Sequence, residues 1–151
     1  MKIYFSFLLL LICTPAFCQI NTSGSGNYGS VGLPKGDSTF LALKDTAQAH
    51  LQTFIDSLNI HGPDTANYRF GIKSDFVEKG THEHMWSLIL SYNKGKFKGI
   101  FIDSAFDIKY IKTGDKVSIN RVGVEDWSFY NKITGKTMGY YSEMYLEEKR
   151  K

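Results

Sequence analysis

Cross-linking cysteines, spanning apolar runs and an excess of either charge are all missing from most of this 151-residue chain. The two cysteines, Cys13 and Cys18, both lie near the N-terminus. Everything beyond them must be held by a buried core rather than by disulfides. Lys and Arg number 18 against 15 Asp and Glu, a formal charge of +3 that is too even to argue for nucleic acid as a partner. No apolar run reaches the roughly 20 residues that a membrane-spanning helix requires. What is present is ordinary: 42% hydrophobic and 22% charged residues exclude disordered and collagen-like chains, and the length suits one domain.

The N-terminus reads as an export leader over residues 1–18. One cation, Lys2, precedes an apolar stretch from Ile3 to Ile12, and Ala16-Phe17-Cys18 supplies the small-x-small triplet of a signal-peptidase site. Cleavage there makes Gln19 the mature N-terminus and places the protein in a periplasm or outside the cell. Lipid attachment is disfavoured, because Cys13 follows Ile12 and Cys18 follows Phe17, whereas a lipidated cysteine follows a small residue.

Residues 19–37 are rich in Gly, Ser and Asn and read as a flexible linker. Gly24, Gly26 and Gly29 fit the dinucleotide-binding spacing, but neither a strand before them nor a helix on them supports that use. A single α+β domain is expected over 38–147. From Ser38 to about Asn59, Phe40, Leu43, Ala47, Leu51, Phe54, Ile55 and Leu58 share one stripe at helical spacing. Asp37 or Ser38 can cap its start, and His61-Gly62-Pro63 ends it.

Period-two apolar patterning then takes over. Strands are expected at Tyr68–Phe76, His84–Tyr92, Phe97–Ile102, Val117–Val122, Trp127–Tyr130 and Thr137–Tyr141. Turns at Asn93-Lys94-Gly95-Lys96, Lys112–Lys116 and Asn131–Lys136 separate several of them. No helix-length segment lies between strands, so parallel crossovers are impossible. The expected architecture is an amphipathic N-terminal helix on a curved antiparallel sheet, with a short C-terminal helix from Ser142 onward.

The chemistry-bearing residues are sparse. His82 and His84 project from one face of a strand and form a pair able to chelate zinc, but Trp86 stands where a helical H-E-x-x-H site needs its second histidine. Their face also holds Trp86, Leu88 and Leu90, which puts the pair at the rim of a core. Glu83, Asp103, Asp107, Asp115, Glu125 and Asp126 offer carboxylates at no diagnostic spacing, and neither a nucleophile elbow nor a phosphate loop is present. Trp127, beside Glu125-Asp126, is the aromatic expected to be exposed for binding.

Residues from about Asp45 to Met144 resemble the YegJ-like domain of unknown function 2314 family. The resemblance rests on Phe70-x-x-Lys73, Glu83-His84-Met85-Trp86, Gly99-Ile100 leading to Asp103, Gly114-Asp115-x-Val117, Glu125-Asp126-Trp127 and Gly139, in that order. Asp103-Ser104-Ala105 stands where the family tends to show Asn-Glu-Pro. The resemblance implies a compact α+β domain and no established activity. It directs attention to Lys73, Glu83, His84, Trp86, Asp115, Asp126 and Trp127. Each also has a structural role on offer: Lys73 and Glu83 as a cross-strand pair, Trp86 as core, His84 bonded to a loop carbonyl.

Lacking a complete catalytic set, the chain is expected to be a non-catalytic binding module for a protein or envelope component, without a cofactor. The alternative is a zinc-binding protein or metal-dependent hydrolase built on His82 and His84.

Overall fold

The computed structural model describes residues 36–149, so the leader and almost all of the linker expected from the sequence lie outside the described residues. Asp37, which closes that stretch, caps the first helix by accepting the N–H of Phe40 at 2.9 Å.

Ser38–His61 is not one helix but two, α1 (Ser38–Ala49) and α2 (Leu51–His61), broken at His50. The cause lies far away in the chain. The indole N–H of Trp127 donates to the carbonyl of Ala47 at 2.9 Å, the acceptor that Leu51 would have used to continue the ladder. The stripe itself holds: Ala47, Leu51, Phe54, Ile55 and Leu58 are buried, while Phe40 and Leu43 are half-buried. Gly62 ends α2, as the sequence implies.

Six strands form one antiparallel sheet in the order β4-β3-β2-β1-β5-β6. They are β1 (Tyr68–Glu78), β2 (Thr81–Asn93), β3 (Lys96–Phe101), β4 (Lys116–Asn120), β5 (Val124–Asn131) and β6 (Lys136–Gly139). β1 and β2 run longer than the apolar pattern suggests, because Lys79 and Gly80 both adopt positive φ (51° and 85°) and close a two-residue turn whose twist suits a hairpin. The strand beginning near Val117 stops at Asn120, where a 3₁₀ turn, Arg121–Gly123, leads into β5. The C-terminal helix α3 spans Tyr141–Lys149.

The core lies between α2 and one sheet face. Phe54 meets Phe70, Phe97 and Trp127 with ring centroids 5.5–5.9 Å apart, and Ile72, Ile89, Phe101 and Val124 complete the layer. Trp127 is 1% exposed, which overturns its reading as an exposed aromatic. Among the described residues no helix is long and apolar enough to cross a membrane.

Candidate functional site

The face of the sheet away from α2 carries a row of charged side chains, and a bulge aims part of it. Lys73 pairs with Asp126, but the next pair is Ser74 with Val124, so Glu125 is an extra residue in β5. That insertion lets Val124 and Trp127 both enter the core, although they are three residues apart, and turns Glu125 and Asp126 together toward the other face. Strand alternation brings Lys73 and Asp75 of β1, and His82, His84 and Trp86 of β2, to the same side.

Three clusters result. In the first, Glu125 bridges two elements: its carboxylate accepts from Lys44 of α1 at 2.6 Å and meets His84 Nδ1 at 2.5 Å. The hydrogen bond to Glu125 pushes the His84 imidazole above the ordinary histidine value, against the opposing effect of burial. Burial pushes the Glu125 carboxyl up, yet its bonds to His84 and Lys44 outweigh this and hold it below the usual Glu value. Beside it, His82 Nδ1 meets Asp75 at 2.7 Å. In the second cluster, Lys73 Nζ donates to Glu143 of α3 at 3.0 Å, with both side chains 6% exposed. Trp86 donates its indole N–H to the same carboxylate at 3.4 Å and stacks on Tyr140.

The third centres on Asp126, fully buried, which accepts the N–H groups of Trp127, Tyr141 and Ser142 and the Ser142 hydroxyl at 2.7–3.2 Å. It thereby caps α3 from another strand. The approach to that cap is tight. Gly139 and Tyr140 both take left-handed φ (78° and 66°), and a Cβ on Gly139 would strike the carbonyl and ring of Trp127.

The sequence-derived roles change accordingly. Lys73 and Glu83 do not pair: Lys73 goes to Glu143, and Glu83 accepts the N–H groups of Phe106, Asp107 and Ile108, pinning the β3–β4 loop. Burial raises the Glu83 carboxyl, but those N–H groups together with Lys109 bring it below its ordinary value. His84 bonds a carboxylate instead of a loop carbonyl. Trp86 is half-buried on the face away from α2, against Tyr140, and not in the core. Asp103 accepts the backbone N–H of Trp86, and Asp115 that of Lys112, within its turn. Lys44 and Glu143 were hidden from sequence reasoning. Ser142-Glu143 at the start of a helix was the one available signal, since acidic residues favour the first turn.

His82 and His84 share a face but are held by different carboxylates. Among the described residues, no group of three or more His, Cys, Asp or Glu side chains is placed to hold a metal ion.

These pairings set a pH optimum for stability. Glu125 and Glu83, with lowered folded-state values, stabilise fully above about 4.5 and lose that contribution as pH falls further. His84, with a raised value, stabilises fully below about 6.5 and loses its contribution as pH rises through the folded-state value. Urea midpoints are therefore expected to plateau between about pH 4.5 and 6.5 and to decline on both sides. His84→Gln should flatten the alkaline limb and, because Glu125 loses one of the bonds that lower it, also make the acid limb shallower. An unchanged alkaline limb in that variant would contradict the assignment.

The fold and the row together define a small α+β domain, a six-stranded antiparallel sheet backed by α2 on one face, with ion pairs to α1 and α3 bracing part of the other. Residues 37–150 match a family described as uncharacterised proteins conserved in bacteria, domain of unknown function 2314, and the chain belongs to that family. No curated protein and no solved structure matches it.

Proposed function

We propose that this protein is an exported, non-catalytic binding domain acting on a protein or envelope component. The observation that supports this reading is the internal pairing of the polar row, whose carboxylates tie the layers of the fold together. Glu125 engages both His84 and Lys44, Asp75 engages His82, and Glu143 engages Lys73. General acid–base or nucleophilic chemistry needs such a group held against substrate with its reacting atom at hand. The near-even charge speaks against nucleic acid as the partner. Export to a periplasm or the medium is supported by the leader at residues 1–18. N-terminal sequencing of the mature protein should read from Gln19, and an intact Met1 would contradict export. Affinity capture from native envelope extract at low salt is expected to return a partner above background. An empty capture would overturn the binding role.

A zinc-binding or metal-dependent hydrolytic role for His82 and His84 has one observation in its favour. Both imidazoles are oriented through Nδ1 by carboxylates, the arrangement that commonly supports metal-ligating histidines. It predicts stoichiometric zinc in protein purified without chelators and its loss in His84→Ala. Wild-type protein free of zinc would remove this reading.

A further inference from the structure

The sheet face away from α2 is electrostatically divided. The carboxylates on this side, Asp75, Glu125 and Asp126 of the strands and Glu143 of α3, gather at one end and are all bound internally. The other half has none: the strand segments 68–71, 87–93, 96–101, 116–120 and 128–131 contain no Asp or Glu. Instead Arg69, Lys96, Lys98 and Lys116 are exposed there, on the side opposite the buried Phe70, Phe97 and Val117. With a formal charge of only +3 on the whole chain, this is a matter of placement and not of bulk composition.

An apolar strip runs between the cations. Leu88 lies opposite Ile100, which lies opposite Lys116, and Lys98 sits between Ser91 and Ser118. A bulge between Ile89 and Ser91 adds Leu90 to this face, 46% exposed. A depression of about 480 Å³ opens here, lined by Leu90, Lys98, Ile100, Gly114, Lys116 and Ser118 among others.

We infer that this half-face docks an extended acidic segment of a partner protein, carboxylates meeting Arg69, Lys98 and Lys116 while alternating apolar side chains settle on Leu90 and Ile100. The inference rests on the binding-domain reading and names its surface and partner chemistry. Charge complementarity sets the sign of the partner. The strip sets its class. Leu88 and Ile100 are half-buried between cations, so apolar groups must come down to them, which a bilayer surface cannot do without projecting residues to enter it. Single-stranded nucleic acid would want a run of rings to stack on, whereas Leu88, Leu90 and Ile100 are aliphatic and Tyr130, opposite Arg69, is a single exposed ring at the margin of the strip.

The test is fluorescence anisotropy of the full chain with a short labelled peptide of alternating Glu and Leu. Wild type should bind, more weakly as salt rises. Lys98→Glu/Lys116→Glu should lose about ten-fold or more in affinity, whereas Lys79→Glu, in the turn at the far end of β2, should bind like wild type. Circular dichroism melts establish that the variants are folded. Absence of peptide binding, equal binding by the double variant, or stronger binding of phosphatidylglycerol vesicles or single-stranded DNA would each overturn the inference. The binding-domain reading fails separately, on an empty envelope capture.

Discussion

Replacing Asp126 with alanine is expected to destabilise the domain by about 3–5 kcal/mol, the range of a lost buried polar network. The carboxylate is completely buried and accepts four hydrogen bonds, from the N–H groups of Trp127, Tyr141 and Ser142 and from the Ser142 hydroxyl. Each charge-assisted bond contributes roughly 1.5–3 kcal/mol, with overlap among them. Alanine leaves these donors without their acceptor, including two at the start of α3, where orphan N–H groups are concentrated. The damage should spread, because α3 carries Glu143, the partner of buried Lys73. Asp126→Asn keeps one acceptor oxygen and should recover part of the loss. Urea unfolding gives the magnitude, and hydrogen exchange at Tyr141 and Ser142 shows whether α3 detaches first. A cost under about 0.5 kcal/mol, the level of an ordinary surface change, would contradict the capping role.

Lys73→Met should cost about 3 kcal/mol or more, because it takes the ammonium partner away from a buried carboxylate. The pair lies at 3.0 Å with both side chains 6% exposed, so solvent cannot take over the charge of Glu143. Pairing the change with Glu143→Gln should restore stability to within about 1 kcal/mol of wild type, since both buried charges are then removed together and Trp86 keeps an oxygen to donate to. The two single changes are thus expected to be strongly non-additive. Additive losses would mean that the two groups act on stability independently.

The parts of this fold that a local pattern controls were legible in the residues alone. The apolar stripe from Ala47 to Leu58 marks the helical face that meets the sheet, and strand alternation correctly groups His82, His84 and Trp86. The lack of helix-length segments between strands leaves only antiparallel pairing, as observed. What stayed hidden is controlled by contacts remote in sequence. The break at His50 follows from an indole N–H 80 residues away taking a helical carbonyl. The bulge at Glu125 changes the parity of β5, which is why Trp127, preceded by two carboxylates, lies in the core. Lys73 and Glu143 are 70 residues apart, and no spacing rule links them. Asp126 illustrates the same limit: its carboxylate reads as a candidate for chemistry, yet its four partners make it the cap of a helix in another part of the chain.

The division of the face away from α2 follows from these pairings. At one end, ion pairs tie α1, α3 and three strands together; at the other, cations and a recessed apolar strip have no carboxylate among them. The first end holds the layers in place, and the second is the surface proposed to meet a partner.

The bracing role of the first end can be read directly from histidine-resolved NMR titration of wild type and Glu125→Gln. In the wild type, His84 should titrate above the ordinary histidine value, and in Glu125→Gln its midpoint should fall as the carboxylate that holds its proton is lost. A His84 that titrates at or below the ordinary value, or that is indifferent to Glu125→Gln, would contradict the account.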